Sequence, residues 1–329
     1  KLEKYGIRGI ANNIVRSYLS NRSQYVVYDG EISSQRIIST GVPQGSNIGP
    51  LLFLLYINDL SNINLAGTAR LFADDTAIFY PHMKLNIIIS DMKQDLQLLQ
   101  EYFSTNLLSL NLKKTKFMIF RSPRKILPQV PVLAIGTDIV DKVESFKYLG
   151  AYLDSTLSWN IHIEKVASKI SSMCGVLRRV SYFLPRKAML HFYFAHIHSH
   201  LSYLIISWGR ACKSKLKKLQ ILQNRCLKII FKLPFLYPSI QLYTNLPHTI
   251  LPILGLCEEQ TLLMVRSILH DPKRLHNLAI DIAPRIHNTR QINYLSRSHT
   301  HSSFSQKRIS FIGPTKYNRL PMHLRRMTN

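Results

Sequence analysis

Two adjacent carboxylates stand at the centre of the stretch that decides the fold, residues 71–80, whose sequence is LFADDTAIFY. Short runs of apolar, aromatic and β-branched residues flank Asp74 and Asp75, a pattern typical of a β-hairpin with acids at its turn. Adjacent carboxylates repel each other unless a cation neutralises them, and their hard oxygens suit Mg²⁺ or Mn²⁺. The stretch therefore predicts a metal-dependent phosphoryl site, with a solvated Asp-Asp turn as the alternative.

The charge of the chain points to a polyanionic partner. The 329 residues contain 43 Lys and Arg against 18 Asp and Glu, which gives a formal net charge of +25. Such a charge makes a compact chain repel itself unless a polyanion compensates it, so nucleic acid is the expected partner. Hydrophobic residues make up 46% of the sequence, enough for a sizeable core.

Cysteine usage and hydropathy bear on the compartment. Cys174, Cys212, Cys226 and Cys257 are scattered along the chain, which disfavours a zinc ribbon or a disulfide-stapled secreted domain. We therefore expect an intracellular protein, in the cytoplasm or the nucleus. No apolar stretch reaches spanning length without charges or prolines, so no membrane is expected as a partner. The first residues are neither a signal peptide nor a start methionine, which favours a piece of a longer chain.

A loop rich in glycine and proline precedes the acidic stretch. Residues 41–50 read GVPQGSNIGP and lead into an apolar run over residues 51–57. Such a loop brings backbone close to a ligand and then starts a buried helix, although a simple helix start would have the same composition. Gln44 can donate and accept hydrogen bonds beside a base or sugar, and Gly45 leaves room for it. Further upstream, Asp29-Gly30 predicts a type I′ hairpin.

These segments together resemble a known family. The motifs GVPQGS at residues 41–46 and FADD at residues 72–75, with the run 49–60 between them, are similar to the reverse transcriptases of non-LTR retrotransposons, close to the jockey-like type. The resemblance implies an RNA-directed DNA polymerase that uses an RNA template, a DNA primer and dNTP substrates. It implies that Asp74 and Asp75 hold catalytic Mg²⁺ or Mn²⁺, without ranking the two.

The same resemblance suggests residues near the nucleotide and the primer. It places Gln44, Gly45 and Phe72 at the nucleotide and primer end, and residues 111–120, NLKKTKFMIF, are similar to the next palm motif. Lys114 in that motif is a candidate beside the triphosphate, where a lysine could neutralise or protonate the pyrophosphate leaving group. A solvated lysine is an equally good interpretation in so basic a chain.

Residues 146–154, FKYLGAYLD, resemble the primer-grip segment of the family. Gly150 would let the backbone approach the primer strand, while Tyr148 and Leu149 pack behind it. An ordinary edge strand has the same composition, so the assignment rests on the position of the segment after the palm.

A surface helix is predicted over residues 85–103, with Asp91 and Asp95 on its polar face. Two further amphipathic helices are predicted over residues 159–183 and 213–231, and the first of these resembles a thumb helix. The second has one apolar face and one basic face, which suits a thumb lying along a duplex backbone; a membrane-surface helix is the runner-up. The candidate backbone contacts on that basic face are Lys213, Lys217, Lys218, Arg225 and Lys228.

The predicted fold is α+β: a right-hand polymerase palm, built as an antiparallel sheet with packed helices, followed by an all-helical thumb and a basic tail. We assign residues 1–154 to part of the fingers and palm, 155–232 to the thumb-like region, and 233–329 to a basic, partly flexible C-terminal region. The alternative function is a non-catalytic nucleic-acid-binding remnant of a retroelement. An RNA-dependent RNA polymerase is disfavoured, because Ala73 rather than glycine precedes the acids.

The resemblance also predicts that this chain is incomplete as a catalyst. The palm of the family uses another metal-binding aspartate upstream of the GVPQG motif. Before Gly41 the only acids are Glu3, Asp29 and Glu31, and none of them ends a strand-like apolar run. We therefore expect an N-terminally truncated polymerase domain that binds primer-template without incorporating nucleotides.

Overall fold

The computed structural model describes residues 1–43, 45–135, 138–244, 246, 250–271, 294–297, 300, 302 and 304–326. It divides into two compact units. The first, the hairpin unit, comprises residues 1–117 and 127–142. The second, the helical unit, comprises residues 118–126 and 143–329.

The hairpin unit begins with a 3₁₀ turn and a helix, followed by two small hairpin ladders. The elements are the turn Leu2–Tyr5, α1 (Gly9–Leu19), β1 (Arg22–Gln24), β2 (Val27–Tyr28), β3 (Glu31–Ile32) and β4 (Arg36–Ile38). β2 pairs with β3 and β1 with β4, all antiparallel. Asp29 and Gly30 have φ angles of 49° and 83°, as a type I′ turn requires, so the predicted hairpin is confirmed.

The middle of the hairpin unit carries the acidic stretch and its supporting helix. Its elements are α2 (Gly49–Ile57), a 3₁₀ turn (Asn58–Asn62), β5 (Thr68–Phe72), β6 (Asp75–Phe79) and α3 (Leu85–Thr105). The buried cluster here consists of Ile57, Leu60 and Leu99, with partly buried side chains around it. Leu71 and Ile78, from the two strands of the acidic hairpin, pack against this cluster. Apolar side chains of α2, α3 and the hairpin thus meet in one small core.

A third group of strands completes the hairpin unit. The strands that the structure describes in this unit do not form the antiparallel palm sheet that we predicted. β7 (Lys116–Phe117), β8 (Leu133–Ile135) and β9 (Asp138–Lys142) form a sheet in the order β7-β9-β8, with β7 parallel to β9. The described residues contain four two-stranded sheets and this three-stranded one, instead of the single antiparallel palm sheet that we predicted. The sequence pattern specifies strands and tight turns locally, whereas pairing between hairpins depends on edges that are distant in the chain.

The helical unit starts with the hairpin β10 (Ser145–Tyr148) and β11 (Ala151–Asp154). The helices that follow are α4 (Asn160–Val180), α5 (Arg186–Tyr193), a π-helical turn (Phe194–His198), α6 (Ser199–Ser202), α7 (Ile205–Trp208), α8 (Lys213–Ile230), α9 (Ser239–Thr244) and α10 (Ile253–His270). Near the C-terminus lie α11 (Ile309–Tyr317) and α12 (Met322–Arg326). Every helix from α4 to α10 contributes to one hydrophobic core. The predicted amphipathic helices at residues 159–183 and 213–231 are confirmed as α4 and α8.

The predicted boundary at residue 154 does not coincide with the boundary between the two units. Residues 143–154, which we assigned to the palm, group with the helical unit, and a functional boundary at residue 154 stays a prediction. Within the C-terminal region, we expect residues 281–305 to be the flexible part, and this segment lies largely outside the described residues. Val265 and Ile268 on α10 share a small core with Leu295 and with Tyr317 on α11. None of the helices that the structure describes is long and apolar enough to cross a bilayer.

Candidate functional site

The tip of the β5–β6 hairpin presents the two acids to solvent. The strands pair from Thr68 opposite Phe79 to Phe72 opposite Asp75, which leaves Ala73 and Asp74 as the two-residue turn. Asp74 and Asp75 are both exposed. Ala73 has a φ angle of 52°, in the left-handed region that costs a residue with a Cβ about 1–2 kcal/mol. The hairpin therefore imposes the turn on the chain, and the turn holds both carboxylates at one end.

The donor set at this tip fits a hard divalent cation. Mg²⁺ is commonly held by one or two protein carboxylates, with water and phosphate oxygens as the other ligands. An exposed pair of consecutive aspartates supplies such ligands and leaves room for the others. Across the described ranges, no cluster of three or more His, Cys, Asp or Glu side chains could hold a metal ion. A metal ion at this tip would therefore have two protein carboxylates, from Asp74 and Asp75, and would take its other ligands from water or phosphate.

The opposite, open end of the same hairpin is fixed by a residue that we predicted wrongly. The helical pattern predicts Asp95 on the polar face of α3, yet its side chain is fully buried. Its carboxylate accepts hydrogen bonds from the backbone N–H groups of Ala66 and Gly67 and from the hydroxyl of Tyr80. A signal was present in the sequence, because position 95 continues the apolar stripe of Ile88, Met92 and Leu99 at helical spacing.

The glycine-rich loop is held by its serine. The Ser46 hydroxyl donates to the carbonyl of Pro43 over 2.9 Å and accepts from the N–H of Gly49 over 3.0 Å, which starts α2. A Cβ on Gly49 would lie 2.7 Å from the Ser46 hydroxyl, so only glycine fits there without a shift. Gly45 is exposed with a φ angle of 80° and has open space where a Cβ would be. Gln44 lies outside the described residues.

Phe72 and Lys114, the other two candidates in this unit, are both exposed. Phe72 retains 62% of its surface and lies directly across the ladder from Asp75, so the structure brings it together with the acids. Lys114 stands in a turn that Asn111 closes, because the backbone N–H of Lys114 bonds to the Asn111 carbonyl and side chain. The sequence after that turn, residues 115–120, favours a strand, and the structure forms one over the two residues of β7.

Comparison with known proteins finds a family that matches the N-terminal part of the chain. Residues 1–153, which contain the acidic hairpin and the glycine-rich loop, match the family described as reverse transcriptase (RNA-dependent DNA polymerase). The match covers 153 of the 329 residues, so the similarity to reverse transcriptases is shown for this part of the chain. The predicted resemblance to this family is thereby confirmed.

Curated relatives extend the similarity beyond the reverse transcriptase domain. A probable RNA-directed DNA polymerase from transposon BS of Drosophila melanogaster is 28% identical over 251 residues, covering 72% of this chain and 27% of the relative. The RNA-directed DNA polymerase from mobile element jockey of the same species is 26% identical over 235 residues, covering 68% of this chain and 25% of the relative. The chain thus spans about a quarter of the length of these relatives. No solved structure matches it significantly.

The segment similar to the primer grip of reverse transcriptases forms the turn of the β10–β11 hairpin. Leu149 and Gly150 have φ angles of 44° and 80°, and Tyr148 is the last residue of β10. The Tyr203 hydroxyl donates to the Leu149 carbonyl, and a Cβ on Gly150 would lie 3.3 Å from the Tyr203 ring. The positive φ angle of Gly150 and the approach of Tyr203 together account for the glycine, and a contact with a primer stays a prediction.

The strand after this turn ends on a carboxylate that organises the start of α4. Asp154 accepts from the backbone N–H groups of Ser158 and Trp159, each over 2.9 Å, and from the hydroxyl of Thr156 over 2.6 Å. Burial raises the pKa of Asp154, but these hydrogen bonds outweigh it and the net pKa lies below the usual value. The loop from the β10–β11 hairpin to α4 is thus built around an ionised side chain.

The basic face of α8 is largely exposed, with one exception. Lys213, Lys217, Lys218 and Arg225 are exposed. Lys228 is half-buried, because its ammonium group donates to the carbonyl of Phe235 over 2.6 Å. It is therefore turned toward the α8–α9 connection.

A groove runs beside this face between α4 and α8. It has a volume of about 610 Å³, and Lys217 and Lys218 line it together with serines from both helices. Those serines are Ser168, Ser171, Ser172 and Ser214. Hydroxyl and ammonium groups are the side chains that commonly contact nucleic-acid phosphates.

Proposed function

We propose that this chain is the C-terminal part of the polymerase domain, with thumb and tail, of the RNA-directed DNA polymerase of a jockey-like non-LTR retroelement. It acts on a DNA primer paired with an RNA template and takes dNTPs as substrates. The single observation that carries the proposal is the pair Asp74 and Asp75 at the tip of a hairpin, inside the residues that match the reverse transcriptase family.

The two carboxylates would hold Mg²⁺ or Mn²⁺. Such ions, when bound, stabilise the attacking 3′ oxygen and the leaving pyrophosphate in nucleotidyl transfer. The chain itself contributes the placement of both acids at one turn, next to the exposed ring of Phe72. That ring offers a flat apolar surface for the last sugar or base of the primer.

The nucleotide side of the site is assigned to three further residues. Gln44 and Gly45 would lie beside the base or sugar of the incoming nucleotide, and Lys114 beside its phosphates. Gly45 suits a close approach, because it is exposed and has open space around it. An ammonium group at Lys114 would balance charge that develops on the leaving pyrophosphate. Tyr148, Leu149 and Gly150 would support the primer strand.

The helical unit would bind the duplex backbone through α8 and the adjoining groove. Exposed lysines on α8, together with the serines across the groove, present cationic and hydroxyl donors along one side of two packed helices. Contacts to phosphates release counterions, so affinity should fall steeply with salt. Lys228 should contribute less than Lys217 or Lys218, since its ammonium group already has a partner.

A salt titration of primer-template binding tests this interface. Reversing two charges, with Lys217→Glu and Lys218→Glu together, should flatten the slope of log affinity against log salt by about two, since each duplex phosphate contributes about 0.9. The matched control reverses Lys125 and Lys187, which are exposed in the same unit but lie outside α8. Equal slopes for the α8 variant and the wild type would contradict a backbone contact on this face.

Residues 1–329 should bind primer-template and incorporate no nucleotide. Three acids precede the glycine-rich loop: Glu3 accepts from the side chain of Asn12, Asp29 lies in a type I′ turn, and Glu31 is exposed on β3. Among the described residues, none of them joins Asp74 and Asp75 in a cluster of three possible metal ligands. A primer-extension assay on this chain checks the expectation, and robust incorporation with contaminating polymerase excluded would overturn it. Binding without extension by the polymerase of the complete open reading frame would favour the non-catalytic remnant.

A further inference from the structure

One buried carboxylate binds both chain segments at the base of the acidic hairpin, the end opposite its turn. Asp95 on α3 accepts from the N–H groups of Ala66 and Gly67, both over 2.9 Å, immediately before β5 begins. It also accepts from the hydroxyl of Tyr80 over 3.0 Å, immediately after β6 ends. Both chain segments at the base of the hairpin are therefore tied to the same side chain.

Burying the Asp95 carboxylate costs free energy of desolvation, so its oxygens require well-placed hydrogen-bond donors. Asp95 has no exposed surface, and a buried carboxylate is tolerated only when donors satisfy its oxygens. Three donors do so here, and an ionised carboxylate accepts on both oxygens. Burial and the neighbouring Asp95 raise the pKa of Tyr80, so the phenol keeps its proton and acts as a donor. An apolar residue at position 95 would fill the space but could not bind both ends of the hairpin.

Gly67 provides a second, independent observation at the same place. A Cβ on this residue would lie 2.5 Å from Cγ2 of Ile78 and 2.6 Å from Cε1 of Tyr80. Real Cβ atoms do not approach other heavy atoms so closely. Only glycine lets the chain before β5 lie against the end of β6 while its N–H points at Asp95. Gly67 and Asp95 together fix the direction of the hairpin relative to α3.

We propose that Asp95 is a positioning residue for the metal-binding carboxylates, and that it sets the direction of the hairpin whose tip carries Asp74 and Asp75. This inference rests on the proposed metal site. The five residues of β5 span about 17 Å, so a tilt of about 5° at the base moves the tip by about 1.5 Å. Metal-ligand distances tolerate only about 0.2 Å, so anchoring at the base governs the geometry at the tip.

The test compares Asp95→Asn with a matched change on the same helix. Asparagine keeps the size of the side chain but replaces one acceptor oxygen with an NH₂ group that faces a donor. The control is Asp91→Asn, which removes an equal charge from a half-buried position one turn earlier on α3. Asp74→Asn reports which part of the metal binding belongs to the hairpin tip, and Gly67→Ala perturbs the base without changing charge.

Two readouts on the 329-residue chain separate positioning from simple folding. Mn²⁺ binding, followed by electron paramagnetic resonance, reports the site at the tip. Hydrogen exchange of backbone amides over residues 66–80, followed by mass spectrometry, reports the hairpin. We expect Asp95→Asn and Gly67→Ala to weaken the Asp74-dependent Mn²⁺ affinity at least fivefold and to speed exchange at least tenfold. Asp91→Asn should change neither quantity.

Three results would overturn the inference, each in a different way. Unchanged exchange and unchanged Mn²⁺ affinity in Asp95→Asn would show that the anchor does not hold the hairpin. Faster exchange with unchanged Mn²⁺ affinity would make Asp95 a structural residue without a positioning role. A wild-type chain that binds no Mn²⁺ through Asp74 would reject the proposed metal site, and the positioning role with it, even if exchange still depended on Asp95.

Discussion

Different kinds of interaction stabilise the interior of each of the two units. In the helical unit, every helix from α4 to α10 contributes buried apolar side chains to one core, with Trp208 fully buried in it. Beneath the acidic hairpin, the buried apolar cluster consists of Ile57, Leu60 and Leu99. Polar ties supplement that small cluster. The difference suggests that apolar burial stabilises the helical unit, while hydrogen bonds to carboxylates fix the geometry of the hairpin.

Helix α3 carries two such ties. Asp95 binds the base of the hairpin, and the hydroxyl of Tyr102 donates to Asp59 over 2.6 Å. Asp59 also pairs with the ammonium group of Lys1 at 3.0 Å. Burial raises the pKa of Asp59, but the bonds from Tyr102 and Lys1 outweigh it, so the net pKa is lowered. Polar anchors give direction and register, which a small apolar cluster defines poorly.

The largest loss of stability should follow from a substitution that creates a cavity in the core of the helical unit. Trp208→Ala removes a fully buried indole, whose N–H also donates to the Tyr203 carbonyl, and should lower the free energy of unfolding of the helical unit by about 3–5 kcal/mol. Urea unfolding measures the loss, and hydrogen exchange over residues 66–80 should stay unchanged. Tyr182→Ala, at an exposed position, is the control. A loss below about 1 kcal/mol would contradict a core that depends on apolar burial.

An intermediate loss of stability should follow from changing Asp154, whose carboxylate organises the start of α4 in the helical unit. Asp154→Asn disturbs the hydrogen bonds from Thr156, Ser158 and Trp159 and should cost about 1–3 kcal/mol at neutral pH. Because folding lowers the pKa of Asp154, its contribution is present above pH 3.8 and is lost as the pH falls through the folded pKa. The difference between wild type and variant should therefore shrink in acid.

Urea unfolding at a series of pH values measures this difference. Asp271→Asn, at an exposed position after α10, serves as the matched control and should have little effect at any pH. A cost that is independent of pH down to pH 3 would contradict the role of the ionised Asp154 side chain.

The smallest effect concerns a buried histidine. His162 is almost fully buried, and its Nδ1 accepts from the backbone N–H of Tyr152 over 3.3 Å. Burial, with a smaller contribution from Lys169, lowers its pKa below the usual 6.5. The unfolded chain therefore takes up a proton first, and the stability of the helical unit should begin to fall as the pH drops below 6.5. His162→Gln should flatten this decline between pH 6.5 and 5, and an unchanged decline would assign it to other groups.

The sequence was sufficient for features that depend on neighbouring residues. It predicted the hairpin at Asp29-Gly30, the acidic hairpin, and the amphipathic helices α3, α4 and α8, because turn chemistry and hydrophobic period are local signals. It did not predict the buried role of Asp95, the partner of Lys228 or the approach of Tyr203 to Gly150. Each of these depends on a contact between residues that are not neighbours in the sequence, and a polar residue on an apolar stripe gives only a weak hint of it.

The proposed function depends on a catalytic metal held by Asp74 and Asp75 at the hairpin tip. It is tested most directly by Mg²⁺-dependent primer extension with the polymerase of the complete open reading frame, comparing Asp74→Asn with the wild type and with Asp91→Asn. Asp74→Asn should lower extension by about 100-fold or more, because a lost metal ligand removes charge stabilisation from the reaction. Primer-template affinity should be retained, and Asp91→Asn should extend normally. Unchanged extension by the Asp74→Asn polymerase would contradict the account.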